Sequence, residues 1–237
     1  MTGRWAALAL ALAVAGCRPS PPSLADYVPA GATLIAGARL DALRASPLDS
    51  RLPQSFVEPY RDASTLWVVF NGAGLLTLAQ AGREVRLSGS QVLVQAAEAQ
   101  RRSGKPGSPD LVTQAAAASA GHALWIAARG RVALPLTGDA ANLNRLLENA
   151  DFATLGLRLD PPARLDFTAQ CPTPEQAQHL EESLRGLLSL SVLGLKHQPR
   201  LAALLRTADV RREGREVRAS LTASGEDLPQ LFDWFGR

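Results

Sequence analysis

The side chains that could perform acid–base or nucleophilic chemistry are few and widely spaced in this sequence. The 237-residue chain carries three histidines, His122, His179 and His197, and two cysteines, Cys17 and Cys171. It contains none of the short motifs typical of zinc peptidases, P-loop proteins, serine hydrolases or dithiol oxidoreductases. A zinc site needs three or four converging ligands, and these residues are not spaced for one. We therefore predict no metal site and no cofactor.

Two arrangements could still support an enzyme. Cys171 with a distant histidine could imitate a thiol nucleophile, although a lone cysteine at a strand end is more typical of a packing residue. Asp160 and Asp166 flank one predicted hairpin, and His122 stands where a strand begins. A hydrolase with a site around Asp166 or His122 therefore stays open as an alternative, while a non-enzymatic protein is favoured.

The strongest candidate for a binding site is a polar sheet face. Apolar and polar residues alternate in segments 154–159, 164–169 and 217–222, which predicts half-buried strands. Their polar residues would project together from the side that the helices leave open. A solvated outer surface would give the same pattern; the alternative is a binding platform for a partner protein or for the other repeat. The predicted binding face consists of Arg158, Arg164, Asp166, Thr168, Arg218 and Thr222.

The elements that must position these residues indicate an α+β fold. Segments 65–70 and 75–80 read as a hairpin, 91–102 and 111–118 as helices, and 173–188 as a helix with one apolar stripe. We therefore expect an antiparallel sheet with helices mainly on one face, ferredoxin-like in spirit.

Short internal matches suggest a tandem duplication of a strand–helix–hairpin–helix–strand unit. The matches pair 63–66 with 152–155, 78–80 with 168–170, and 109–111 with 199–201. The first repeat would cover residues 24–130 and the second 122–237. The two repeats would share the strand near 122–128 and pack together.

Composition excludes a nucleic-acid-binding protein. The formal charge is +3, and removing the segment that carries Arg4 would leave 3 − 1 = +2. Lysine occurs only at positions 105 and 196, and aromatic residues make up 5% of the chain. Nucleic-acid binding would require a basic stripe with interleaved aromatic residues, and none is present.

The N-terminus carries the most specific signal. Arg4 precedes the apolar run 5–13, and Val14-Ala15-Gly16-Cys17 closes it. These four residues resemble the lipobox of bacterial lipoprotein precursors. The resemblance implies a signal peptide over 1–16 and a Cys17 that carries S-diacylglycerol and an N-linked acyl chain such as palmitate. This covalent lipid would attach the protein to a membrane.

Residues 17–23 then form a Pro-rich tether. In Gram-negative lipoproteins an Asp directly after the lipidated Cys often retains the protein in the inner membrane. Arg18 stands there instead, so the resemblance favours the outer membrane, facing the periplasm. With Cys17 lipidated, Cys171 has no intramolecular partner and no disulfide is expected.

The mature chain also resembles a group of uncharacterised bacterial lipoproteins. Segment 24–30, with its Val-Pro-Ala turn, and segment 40–48, with its Leu-Arg-Ala-Ser-Pro-Leu run, match their opening. Strand 124–127 and helix 173–188 fit the same pattern. The resemblance implies an envelope lipoprotein and supplies no catalytic residue. We expect a binding or scaffolding domain with an envelope protein as partner; the alternatives are the hydrolase above and a carrier of lipid or another hydrophobic ligand.

Overall fold

The computed structural model describes residues 22–51, 57–105, 107–131, 144 and 147–235, with side chains to residue 231. The predicted signal segment, Cys17 and most of the tether lie outside the described residues. The prediction of a lipidated Cys17 therefore stays a prediction.

The described residues form nine strands and six α-helices, which follow a 3₁₀ turn over Leu24–Tyr27. The strands are β1 (Leu34–Arg39), β2 (Thr65–Phe70), β3 (Leu75–Ala81), β4 (Glu84–Gly89), β5 (Leu124–Arg129), β6 (Phe152–Arg158), β7 (Ala163–Gln170), β8 (Asp209–Glu213) and β9 (Glu216–Ala223). The helices are α1 (Leu40–Arg44), α2 (Gln91–Ser103), α3 (Pro109–Gly121), α4 (Pro174–Gly194), α5 (Pro199–Leu205) and α6 (Leu228–Phe235).

The ends of the longer helices follow from their sequences. The Ser90 hydroxyl accepts a hydrogen bond from the backbone of Leu93, and α2 ends at Gly104, whose φ of +66° is left-handed. The Thr173 hydroxyl caps α4 by accepting from the Gln176 amide at 3.3 Å. Helices α3, α4 and α5 each begin with proline, whose missing N–H costs nothing at that position.

All nine strands belong to one antiparallel sheet, which confirms the predicted α+β class. Their order is β4-β3-β2-β1-β5-β6-β7-β9-β8, with every neighbouring pair antiparallel. In a ferredoxin-like unit the strand that opens the unit would lie beside the second strand of the hairpin. Here β2 lies beside β1, and β6 beside β5, so the strand order differs from that arrangement.

The helices cover opposite faces of the two halves of the sheet. Helices α2 and α3 pack on Ile35, Trp67 and Trp125, on what we call the α3 face. Helix α4 packs on Ala153 and Val217, which point to the other side, the α4 face. The expectation of helices mainly on one face therefore holds within each half and is wrong for the whole sheet.

This placement bears on the predicted duplication, which the structure does not confirm. The matched strands do correspond, since Leu66 in β2 and Leu155 in β6 both point to the α4 face. The helices do not correspond. A duplication would relate the two halves by a two-fold axis perpendicular to the sheet between β1 and β5, and that axis would place both helix pairs on the same face. The second half also adds the hairpin β8–β9 after its helices.

At the centre of the sheet, large and small residues alternate across neighbouring strands and pack together on the α3 face. Gly37 in β1 lies between Trp67 and Trp125, its cross-strand partners in β2 and β5. The two indoles meet edge to face, with centroids 5.2 Å apart and planes at 87°. A Cβ on Gly37 would lie 2.2 Å from the Trp125 ring, so only glycine accommodates this packing.

We predict that Gly37→Ala lowers the free energy of unfolding by about 3 kcal/mol, because the Trp125 ring has to leave its position. Urea unfolding monitored by tryptophan fluorescence measures the change. Gly186→Ala is the matched control: Gly186 is an exposed residue of α4 with no atom within 4 Å of an added Cβ. It should raise stability by up to about 1 kcal/mol. Equal stability of Gly37→Ala and the parent protein would contradict this account of the sheet centre.

Candidate binding face

Within the described residues, no helix covers the α3 face over one half of the sheet. Helix α3 contacts β1, β5 and β6, and beyond it β7, β9 and β8 present polar residues on the same side. Cross-strand pairing brings these residues next to one another: Arg164 with Thr222, Asp166 with Ser220, and Thr168 with Arg218. We call this surface the open face; it comprises Arg158, Arg164, Asp166, Thr168, Asp209, Arg211, Arg218, Ser220 and Thr222.

The structure therefore brings all six residues of the predicted binding face to one surface. Five of them, Arg158, Arg164, Asp166, Thr168 and Arg218, line a groove of about 440 Å³. Thr222 lies on the same face beside Arg164, outside the groove lining. Asp160, the other carboxylate considered above, is exposed in the turn before β7 and does not line the groove.

Asp166 is the centre of this groove and is four-fifths buried, with 18% of its side chain exposed. Its Oδ1 accepts a hydrogen bond from Arg164 Nε at 2.6 Å. Its Oδ2 lies 3.2 Å from Arg158 Nε and 3.4 Å from His122 Nε2. One carboxylate thus holds two guanidinium groups and faces an imidazole.

His122 reaches Asp166 because a glycine leaves room for its ring. It follows α3 directly, and its ring lies over Gly156 of β6, where a Cβ would approach to 2.4 Å. His122 Nδ1 lies 2.7 Å from the carbonyl oxygen of Ala118, which only accepts hydrogen bonds, so Nδ1 carries a proton. In the neutral ring the Nε2 lone pair then faces the carboxylate, and only the protonated ring donates to both neighbours.

This geometry does not favour the alternative of a hydrolase. Both ring nitrogens of His122 face a protein group, whereas a general base must have one nitrogen directed at the proton it removes. Cys171 is fully buried in the core beneath α4, on the face opposite His122. His179 and His197 are exposed in α4 and in the α4–α5 turn. The structure therefore brings no thiol and histidine together among these residues.

Arginines also face arginines across neighbouring strands of the open face. Arg158 pairs in register with Arg164, and Arg211 of β8 pairs with Arg218 of β9. Like charges directly opposite one another destabilise a sheet. Arg211 has its own partner in Asp209, at 2.7 Å, and Arg218 has its own partner in Glu216. Arg158 and Arg164 instead share Asp166.

Sequence reasoning missed part of this site because it missed β8. That strand contributes Asp209 and Arg211 to the groove, yet its single buried residue is Val210. The turn Gly214-Arg215, with Gly214 at a φ of +58°, is the signal that could have indicated a hairpin there. The contact of His122 with Asp166 spans 44 residues and has no local signal.

A second groove lies on the other side of the sheet, between α4, α5 and β8. It has a volume of about 590 Å³ and is lined largely by apolar residues, including Leu188, Val192 and Leu205. Leu193, which also lines the groove, is 64% exposed, and nearby Leu190 is 68% exposed. The groove is open to solvent and does not enclose a ligand as the pockets of carriers do.

In the described part of the chain, no helix has the length and apolar character needed to cross a membrane. Within the same residues, no three His, Cys, Asp or Glu side chains are grouped so that they could hold a metal ion. Comparisons with protein families, with curated proteins and with solved structures found no match for this chain.

We predict that Cys171 resists thiol reagents in the folded protein. Burial raises the pKa of its thiol, which lowers the fraction of reactive thiolate at neutral pH. The Cys17→Ala chain leaves Cys171 as the only thiol. It should react with Ellman's reagent at once in denaturant and at least about a hundredfold more slowly when folded. Equal rates would show that the thiol is accessible.

Proposed function

We propose that this protein is a bacterial envelope lipoprotein, anchored through lipid on Cys17, which binds an envelope protein partner through the open face. The observation that carries the binding role is the uncovered half of the α3 face. There the sheet presents a polar groove around Asp166, whereas the other half of that face is covered by α2 and α3.

Two features favour binding over the alternatives. Among the described residues, large apolar side chains such as Ile35, Leu78 and Leu180 are fully buried in the core beneath the helices. A carrier would instead enclose a ligand within an apolar cavity. A hydrolase would need a nucleophile or base directed into the groove; His122 Nδ1 is bonded to the Ala118 carbonyl, and the Asp166 carboxylate is held by Arg158 and Arg164.

The anchor rests on the N-terminal sequence. The apolar run and the Val14-Ala15-Gly16-Cys17 segment resemble a lipobox, and Arg18 favours the outer membrane facing the periplasm in a Gram-negative host. A single acyl chain binds membranes only marginally, with an association constant on the order of 10⁴ M⁻¹, whereas two or three chains hold firmly. The full lipid modification would therefore keep the binding domain at the membrane.

We predict that Cys17→Ala abolishes fatty-acid labelling, because the acceptor thiol is lost. Palmitate labelling in a bacterial host, followed by membrane fractionation, measures the effect. The variant should be soluble or remain as unprocessed precursor. Cys171→Ala is the matched control and should be labelled and fractionate like the parent protein. A labelled, membrane-bound Cys17→Ala chain would overturn the proposed anchor.

We predict that the partner contacts the open face. A photo-crosslinking amino acid at Thr168 or Thr222, in the full chain in its own membranes, should give one discrete adduct. Val92 is the control position because it is 74% exposed on α2, away from the open face. Adding Arg218→Glu should reduce adduct yield from Thr168 several-fold by reversing a charge in the groove. Equal adducts from Val92, or none from the open face, would overturn the binding role.

A further inference from the structure

We infer that Arg158 and Arg164, held in place by Asp166, form a binding site for an oxyanion, and that the natural ligand is a carboxylate on an acidic segment of the partner. This inference rests on the proposed function and deepens it by naming the chemistry that the open face recognises.

The first argument is an unfavourable pairing that the sheet retains. Arg158 and Arg164 stand directly opposite each other on β6 and β7, and two like charges in that position cost stability. Folded proteins break such local rules mainly at functional sites. An anionic ligand placed between the two guanidinium groups would turn this repulsion into attraction.

The second argument is the charge of the cluster. Two guanidinium groups share the single carboxylate of Asp166, so the three groups carry a formal charge of 2 − 1 = +1. Arg211 and Arg218 do not show this excess, because each has a separate carboxylate partner.

The groove lining also contains Arg212, which pairs with Glu181, and Glu213 at the end of β8. The excess positive charge is therefore local to Arg158 and Arg164, and Glu213 offsets it elsewhere in the groove.

The third argument is the direction of the contacts. Asp166 is reached through Nε of both arginines, at 3.2 Å from Arg158 and 2.6 Å from Arg164. Each guanidinium has five N–H donors in a planar fork, so the terminal nitrogens keep donors for a ligand. Both arginine side chains are half exposed, at 49% and 50%, whereas Asp166 is 18% exposed. Asp166 thus acts as a positioning residue beneath two accessible forks.

The fourth argument concerns the size of the ligand. A groove of about 440 Å³ is much larger than an isolated ion, so the anion would be one group of a larger molecule. Thr168 and Ser220 supply hydroxyls along the groove floor that can bond to a peptide backbone. Paired guanidinium groups suit carboxylate and phosphate equally; a protein partner supplies the carboxylate.

The test measures binding of fluorescently labelled hexaglutamate to the purified full-length protein in detergent micelles at low salt. Arg158→Gln with Arg164→Gln should weaken binding at least tenfold. The control, Arg83→Gln with Arg102→Gln, removes the same charge from exposed positions away from the open face and should change affinity less than twofold. Inorganic phosphate should compete with the peptide in the parent protein. Thermal melts establish that each variant folds.

Arg158→Lys with Arg164→Lys keeps the charge while removing the forks, and it should weaken binding at least threefold. Unchanged binding in this variant would show attraction to charge alone and would overturn the inference. It would also be overturned by equal losses in the glutamine and control variants, or by no binding of the peptide to the parent protein. The photo-crosslinking test at Thr168 separates the two proposals. If the peptide results overturn the oxyanion site while the Thr168 adduct still forms, the proposed binding role stands. If the adduct is absent as well, the proposed function fails with the oxyanion site.

Discussion

The structure depends on close approach of rings to glycines along one row of the sheet. The Trp125 ring lies over Gly37 and meets Trp67 edge to face, and the His122 ring lies over Gly156. Because glycine has no Cβ, each ring can pack directly on the backbone of an adjacent strand. This row holds α3 down on the sheet and brings the end of that helix to Asp166. The packing of the core and the geometry of the groove therefore share one steric cause.

The helices that cover the two halves determine where a ligand can approach. Helices α2 and α3 cover the α3 face over the first half of the sheet, while α4 and α5 cover the α4 face over the second half. The sheet continues past α3, so no helix in the described part of the chain covers β7, β9 and β8 on the α3 face. Polar residues can be retained there because side chains such as Arg158 and Arg164 are exposed.

Much of the fold could be predicted from local patterns. The run Thr65–Phe70 was predicted with its observed bounds, and the helix caps at Ser90 and Thr173 follow from residue type alone. The alternation in β6, β7 and β9 placed the six polar residues on one surface. Strand β8 was missed because its polar and charged residues outnumber the single buried Val210. The face chosen by each helix pair could not be predicted, since a helix stripe specifies burial and not which side of the sheet it covers.

The same limit applies to the site. Arg158, Arg164 and Asp166 could be grouped from strand periodicity, because residues two apart share a face. The approach of His122 depends on Gly156, which is 34 positions further along the chain, and on the length of α3. Contacts of this kind come from packing between elements that are distant in sequence, so the periodicity within one segment does not predict them.

The 3₁₀ turn at the start of the domain adds a constraint on distance. Leu24 and Tyr27 belong to the same core cluster as Leu93 and Ile35, and their turn contacts α2 and β3, so the chain enters the domain on the α3 face, over the half of the sheet that does not carry the open face. From Cys17 to Leu24 a fully extended chain spans at most about 25 Å. A lipid on Cys17 would therefore hold the start of the domain within that distance of the bilayer, while the groove lies on β7, β9 and β8 at the other end of the sheet.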